Sequence, residues 1–149
     1  VASPEVSDED LVARFPGEPI THDNAAQYRG RLRRELLMNR CEDCGRWHAP
    51  AKPVCPDCWS WRVSAEPVSG DGEIYLAIFL HRGPDAPGVD YSTPYPVVTV
   101  ELAEQEGLRF TSTVVGAGND AIRIGAPVSL TWIDRAGVPL PVFELRDPR

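Results

Sequence analysis

From Val63 onward the apolar positions gather into short runs separated by glycine-containing turns. Residues 74–80 are almost continuously apolar, as expected of a strand with one face on a core and the other covered. Residues 97–102, 108–115, 128–133 and 140–145 follow as further strand candidates. Gly70-Asp71-Gly72, Glu106-Gly107, Gly116-Ala117-Gly118-Asn119 and Ala136-Gly137 supply turn chemistry between them. Strands of this length without a long helical pattern among them predict a small, closed or nearly closed five-stranded barrel of the OB type, with a two-sheet sandwich as the competing architecture. Residues 119–125 offer room for a short helical turn, and no internal repeat is visible.

Upstream the period changes. Ala25, Tyr28 and Leu32 fall on one stripe at helical spacing, predicting a helix over residues 24–34 with Asp23 or Thr21 as its cap and an arginine-rich opposite face. Leu36, Leu37 and Met38 then lead as a short strand into Cys41. Residues 1–20 are acidic and broken by Pro4, Pro16 and Pro19, which predicts a lead-in arm with one short helix over 8–15, ordered only against a partner. The start at Val1, without Met, suggests an expressed fragment or a processed chain. The expected division is an extended or partly helical arm over 1–22, a helix and metal ribbon over 23–62, and the barrel over 63–149.

Composition changes this picture little. At 149 residues, 42% hydrophobic and 25% charged, the chain is long enough to bury a core and lies in the ordinary globular range. Its net charge of −7 argues against nucleic acid as a partner, because no window carries the basic cluster that drives counterion release. Arg29, Arg31, Arg33 and Arg34 read as a solvated helix face, with a local site for a phosphate-bearing ligand as the sharper alternative. No run approaches the roughly 18 apolar residues that span a bilayer, so no membrane partner is expected. All four cysteines lie within eighteen positions, a distribution that suits a metal in a reducing cytoplasm better than disulfides.

Those cysteines carry the strongest chemical signal. Cys41-Glu42-Asp43-Cys44 and Cys55-Pro56-Asp57-Cys58 are paired knuckles, each placing two thiolates on one tight turn. Four thiolates satisfy the tetrahedral preference of zinc and leave no position for water, so the expected metal is structural zinc. Rubredoxin-type iron and a redox dithiol are the rival uses of the same spacing. His48 is expected to be a polar neighbour rather than a ligand. Trp47, Trp59 and Trp61 are expected to cover the metal and seal the ribbon, with an exposed Trp59 as a potential partner anchor. Catalytic chemistry is scarce: His22, His48 and His81 have no triad partner in sight, and no serine sits in a nucleophile elbow.

The stretches RRELLMNRCEDCGRWHAPAKPVCPDC, WRVSAEPVSGDGEIYLAIFLHR, PYPVVTVEL and IRIGAPVSLTW occur in an order that resembles an acyl-CoA-associated family, domain of unknown function 35. That family joins a rubredoxin-like zinc ribbon to an OB-fold. The resemblance spans residues 24–143 and extends to the C-terminal domain of a MaoC-like steroid acyl-CoA hydratase subunit. It implies a mainly β fold with an N-terminal helix, and a non-catalytic accessory role beside a thiolase-superfamily, lipid-transfer-protein-like aldolase. The implied reaction is retro-aldol cleavage of a steroid side-chain acyl-CoA, with CoA as part of the substrate and a hetero-oligomer as the working form. A CoA-binding or acyl-transfer scaffold for a thiolase or ketosynthase in another pathway is the alternative. Within that frame His81, Tyr91 and Tyr95, in and beside the long loop over 83–96, are candidate partner contacts. Arg31 and Arg33 are candidates for steering CoA phosphates.

Overall fold

The structure, a computed structural model, describes residues 5–146. Its chain divides into two compact units: one runs to Val68 and takes in Gly137–Pro139, and the other holds Ser69–Ala136 and the chain from Leu140.

The first unit begins with α1 (Asp8–Arg14), whose N-cap Ser7 accepts a hydrogen bond from the Asp10 amide at 3.2 Å. Asp8, Glu9 and Asp10 in its first turn and Arg14 in its last complement the helix dipole. Leu11 and Phe15 are buried, and each contributes about 2 kcal/mol relative to exposure. The Phe15 ring meets Tyr28 edge-on at 5.1 Å, and Arg29 pairs with Asp8. The arm over 5–22 is therefore ordered against its own chain, a correction to the expectation that only a partner would order it; residues 1–4 lie outside the described residues.

The second helix, α2 (Ala25–Leu32), is capped at Asn24 rather than at Asp23 or Thr21. Asn24 accepts from the Thr21 amide at 2.7 Å and donates to the Pro19 carbonyl at 3.0 Å, tying the entering chain instead of the helix amides. The helix ends when Arg34 turns to φ +59°, with Arg34 N–H donating to Arg31 O and Glu35 N–H to Gly30 O, a Schellman closure made without glycine. Gly30 is buried there because a Cβ would sit 2.8 Å from Leu37 Cγ.

Three strands form the ribbon sheet in the order β2 (Trp47–His48), β1 (Leu37–Cys41), β3 (Val63–Pro67). All pairs are antiparallel, with β3 matched to β1 from Leu37↔Pro67 to Cys41↔Val63. Hydrogen bonding thus places residues 63–67 in the ribbon sheet, although their β pattern reads in sequence as the start of the barrel.

The second sheet is a five-stranded, nearly closed barrel in the order β6 (Arg109–Ser112), β5 (Tyr95–Leu102), β4 (Gly72–Leu80), β7 (Pro127–Arg135), β8 (Val138–Leu145). Long β4 pairs with β5 from Gly72↔Leu102 to Leu80↔Tyr95, with a bulge between Ile74 and Leu76. It pairs with β7 only at its start, Gly72↔Val128 and Glu73↔Pro127. Strand β6 is shorter than the predicted run over 108–115, because the chain leaves it after Ser112 to close the barrel. Val114 bridges Phe143 in parallel, with Phe143 N–H donating to Thr113 O and Val115 N–H to Phe143 O, both at 2.9 Å. A short 3-10 turn at Asn119–Ala121 occupies the expected break and delivers buried Ile122 to the core beside Ile74, Val98, Val100, Val128, Val142 and Phe143.

Where β4 joins both neighbours, a Cβ on Gly72 would lie 2.3 Å from the Glu101 carbonyl oxygen. We expect Gly72→Ala to destabilise the barrel by about 2 kcal/mol or more, read as a lowered unfolding midpoint in denaturant.

Candidate metal centre and binding surfaces

The two knuckles repeat one backbone design. Cys41 N–H donates to Arg46 O at 2.8 Å and Gly45 N–H to Cys41 O at 2.9 Å; Cys55 N–H donates to Ser60 O at 2.9 Å and Trp59 N–H to Cys55 O at 3.1 Å. Gly45 (φ +76°) and Trp59 (φ +63°) hold matching left-handed positions. Each turn carries one buried thiol, Cys41 or Cys55, and one exposed thiol, Cys44 or Cys58.

All four Sγ atoms lie within 4.8 Å of one another, with Cys41–Cys58 and Cys44–Cys55 separations of 3.6 Å. A tetrahedron of sulfurs at about 2.3 Å from a central zinc has edges of about 3.8 Å, so the donor set fits that ion. The separations are also far longer than a disulfide bond. Proton affinities in the cluster diverge. The Cys44 amide, above all, pulls Cys41 down to about 7. Cys58 is pushed up to about 12: the Ser60 amide lowers it, but Cys41, burial, Cys44 and Cys55 together outweigh that pull.

His48 is not part of the clustered donor set among the described residues. It is buried on β2 opposite Asn39, and its Nε2 has no hydrogen-bond partner among the described residues. Burial, reinforced by Arg46, holds its pKa below the ordinary 6.5, partly offset by a hydrogen bond with the Pro50 backbone. Asn39 accepts from Gln27 at 2.6 Å and donates to Lys52 O at 3.2 Å, so a polar cluster underlies α2.

The tryptophans divide, correcting the expectation that all three seal the ribbon and matching the alternative of an exposed Trp59. Trp47 is buried with the Arg40 guanidinium 5.0 Å above its ring, whereas Trp59 and Trp61 do not seal the ribbon: they are 78% and 76% exposed. Both follow the second knuckle, where Trp59 takes a left-handed φ of +63°.

The remaining candidates are dispersed. Arg31 lies over the rings of Phe15 (4.9 Å) and Tyr28 (5.5 Å), while Arg33 pairs with Glu35 at 3.4 Å. In the barrel unit His81 follows β4 and is exposed. Tyr91 and Tyr95 meet edge-on at 6.3 Å; Tyr91 donates to Pro84 O at 3.1 Å, and Arg135 donates to the Tyr95 hydroxyl at 3.0 Å. Asn119 pins the end of the loop through Pro94 O at 2.6 Å, and Asp90 is held below the usual carboxylate range by the Ser92 amide and hydroxyl.

Sequence reasoning missed one surface. Leu76↔Thr99, Ile78↔Val97 and Leu80↔Tyr95 are directly paired and so share the outer face of the sheet, where polar residues are the rule. Leu76 and Ile78 remain 48% and 47% exposed. The signal was present in the unbroken apolar run of β4, read there only as coverage of both faces.

Two family models match the chain: the rubredoxin-like zinc ribbon domain of ChsH2 over residues 29–62, and the C-terminal OB-fold domain of ChsH2 over residues 65–133. A solved structure described as "Ltp2-ChsH2(DUF35) aldolase" is 35% identical, with a TM-score of 0.76, covering 86% of this chain and 98% of that one. The chain belongs to the ChsH2-type DUF35 family. A curated relative from Thermomonospora curvata, "Probable enoyl-CoA hydratase alpha subunit", is 33% identical over 135 residues, which are 90% of this chain and 41% of the relative. The chain therefore spans about 41% of the length of that protein. A DUF35 protein of unknown function from Sulfolobus solfataricus shares the fold at 13% identity and a TM-score of 0.60, covering 93% of this chain and 96% of its own. The family's ribbon and OB-fold boundaries fall between 62 and 65, while packing divides the units after Val68. The strand over 63–67 explains the offset, because it hydrogen-bonds to the ribbon.

Two outcomes follow for this DUF35 chain. Cys44→Ser should lose bound zinc and unfold the ribbon, and cobalt substitution of the wild type should give the intense visible bands of a tetrahedral tetrathiolate; metal analysis and absorption spectroscopy check both. For His48, the folded pKa lies below the unfolded one, so its contribution to stability is complete above pH 6.5 and declines as pH falls through the folded value. Replacement by Asn should flatten that part of the stability–pH curve of the zinc-loaded protein, measured as the difference between the two chains.

Proposed function

We propose that the chain is a non-catalytic accessory subunit that binds and supports a thiolase-superfamily acyl-CoA aldolase. The partner carries the carbon–carbon bond cleavage, a retro-aldol reaction on a steroid side-chain acyl-CoA, and the chain is one component of the lyase complex. One observation supports this reading above the others: 35% identity over 98% of a chain in a solved Ltp2-ChsH2 aldolase. The hydratase subunit from T. curvata adds an acyl-CoA context.

In this reading Cys41, Cys44, Cys55 and Cys58 hold one structural zinc, whose role is to fix the ribbon. The functional division is an arm over 1–22, a helix and ribbon that begin at 23 and take in the strand over 63–67, and a barrel beyond it, and the complex works in the cytoplasm on a substrate that carries CoA. The pinned loop with Tyr91, the start of β5 with Tyr95, and His81 form one partner-facing region, continued by the apolar outer face at Leu76 and Ile78. Arg33, half-exposed, is better placed than Arg31 to meet CoA phosphates, because Arg31 is engaged with two aromatic rings.

The test is co-purification with the thiolase-like aldolase of the same genome, followed by retro-aldol assay on a steroid acyl-CoA with and without this chain. Activity that needs both chains is the expected result. Complex formation without steroid turnover would favour the scaffold role in another pathway, and no complex would remove the accessory reading. Within a complex, deleting residues 83–94 should weaken association at least tenfold, measured by calorimetry.

A further inference from the structure

The second knuckle contains an expensive anomaly. Its backbone repeats the first, hydrogen bond for hydrogen bond, yet where the first places Gly45 the second places Trp59. A left-handed φ of +63° crowds the Cβ of any residue but glycine. The indole covers little of its surface within the chain, being 78% exposed, and two residues on Trp61 is 76% exposed. The ribbon thus carries steric strain and uncovered aromatic surface on one turn.

That turn is also braced. Ser60 Oγ donates to Asp43 and accepts from the Arg62 amide at 3.0 Å. The Arg62 guanidinium reaches Asp43 at 2.7 Å and Glu42 at 3.5 Å, and the Glu42 amide donates to Arg62 O at 2.8 Å. Arg46 pairs with Asp57 at 3.0 Å on the other side. Two rigid indoles, surrounded by acids and arginines that largely neutralise one another, have the anatomy of a protein–protein anchor: an aromatic centre with a polar rim. The bracing leaves the backbone of the turn little freedom to lose on binding, which favours association. An anionic lipid surface is a poor occupant, since the rim groups Glu42, Asp43 and Asp57 outnumber Arg46 and Arg62 and the whole chain carries −7.

We propose that Trp59 and Trp61 are the anchor by which the zinc ribbon docks into an apolar pocket of the catalytic aldolase subunit. This rests on the accessory-subunit reading and adds to it a second contact region, on the ribbon. It also gives the structural metal a purpose in the complex, because the sulfurs on either side of Pro56 and Asp57 set the turn that presents both rings.

The experiment compares the zinc-loaded wild type with Trp59→Gly and Trp61→Ala, measuring thermal unfolding of the chain alone and calorimetric affinity for the aldolase subunit of the same genome. Trp59→Gly is expected to leave the unfolding temperature unchanged or raise it, by relieving the left-handed strain, while weakening partner binding at least tenfold. Trp61→Ala is expected to weaken binding without loss of zinc. A lowered unfolding temperature in Trp59→Gly would make the indole structural and overturn the proposal, as would unchanged affinity in both variants. Sedimentation of the chain alone covers a further occupant: a dimer dissolved by Trp59→Gly would assign the patch to self-association and equally overturn it. A wild-type chain that fails to bind the aldolase sinks the accessory reading itself, whereas wild-type binding with unaffected variants sinks only the anchor.

Discussion

Four thiols packed within 4.8 Å of one another set the terms for the rest of the first unit. The Cys44 amide holds Cys41 low while neighbouring thiols and burial hold Cys58 high, and four thiolates at this spacing repel one another. A divalent cation at the centre reverses this repulsion and turns the cluster into a cross-link between two turns that surface ion pairs and hydrogen bonds also join. The ribbon sheet is small: β2 supplies only Trp47 and His48, and the outer positions of β3 are only half-buried. Its stability therefore leans on the cluster and on α2, which seats Gly30 against Leu37.

The barrel obeys a different constraint. Its apolar core is continuous, and the limiting element is the approach of backbones where β4 meets β5 and β7. Gly70 and Gly72 permit that approach, since a Cβ would fall 2.2 Å from Leu130 at the first and 2.3 Å from the Glu101 carbonyl at the second. Beyond this junction β4 continues to Leu80 with only β5 as an observed ladder partner, and its outer side chains stay apolar. A strand that is rich in Leu and Ile yet half-exposed is the kind of surface that association covers.

Both units thus leave large apolar side chains in water, Trp59 and Trp61 on the ribbon and Leu76 and Ile78 on the barrel, while the polar groups around them are mostly paired. The distribution accords with a chain whose chemistry consists of holding another protein.

The amino-acid sequence by itself determined the metal-ribbon motif, the five barrel strands and their order, because cysteine spacing and alternation of apolar residues are local properties that survive without neighbours. It also located the 3-10 turn and the two N-terminal helices. Tertiary packing decided what local pattern could not. Residues 63–67 read as β in either sheet, and only hydrogen bonding to Leu37–Cys41 assigned them to the ribbon. Asn24 displaced Asp23 and Thr21 at the cap because its side chain ties down Pro19 and Thr21. The N-terminal arm gained order through Leu11 and Phe15, whose burial depends on a surface that α2 provides. The fate of the tryptophans was likewise decided by packing: Trp47 is buried on β2 beside Arg40, while Trp59 and Trp61, on the chain after the second knuckle, stay in solvent.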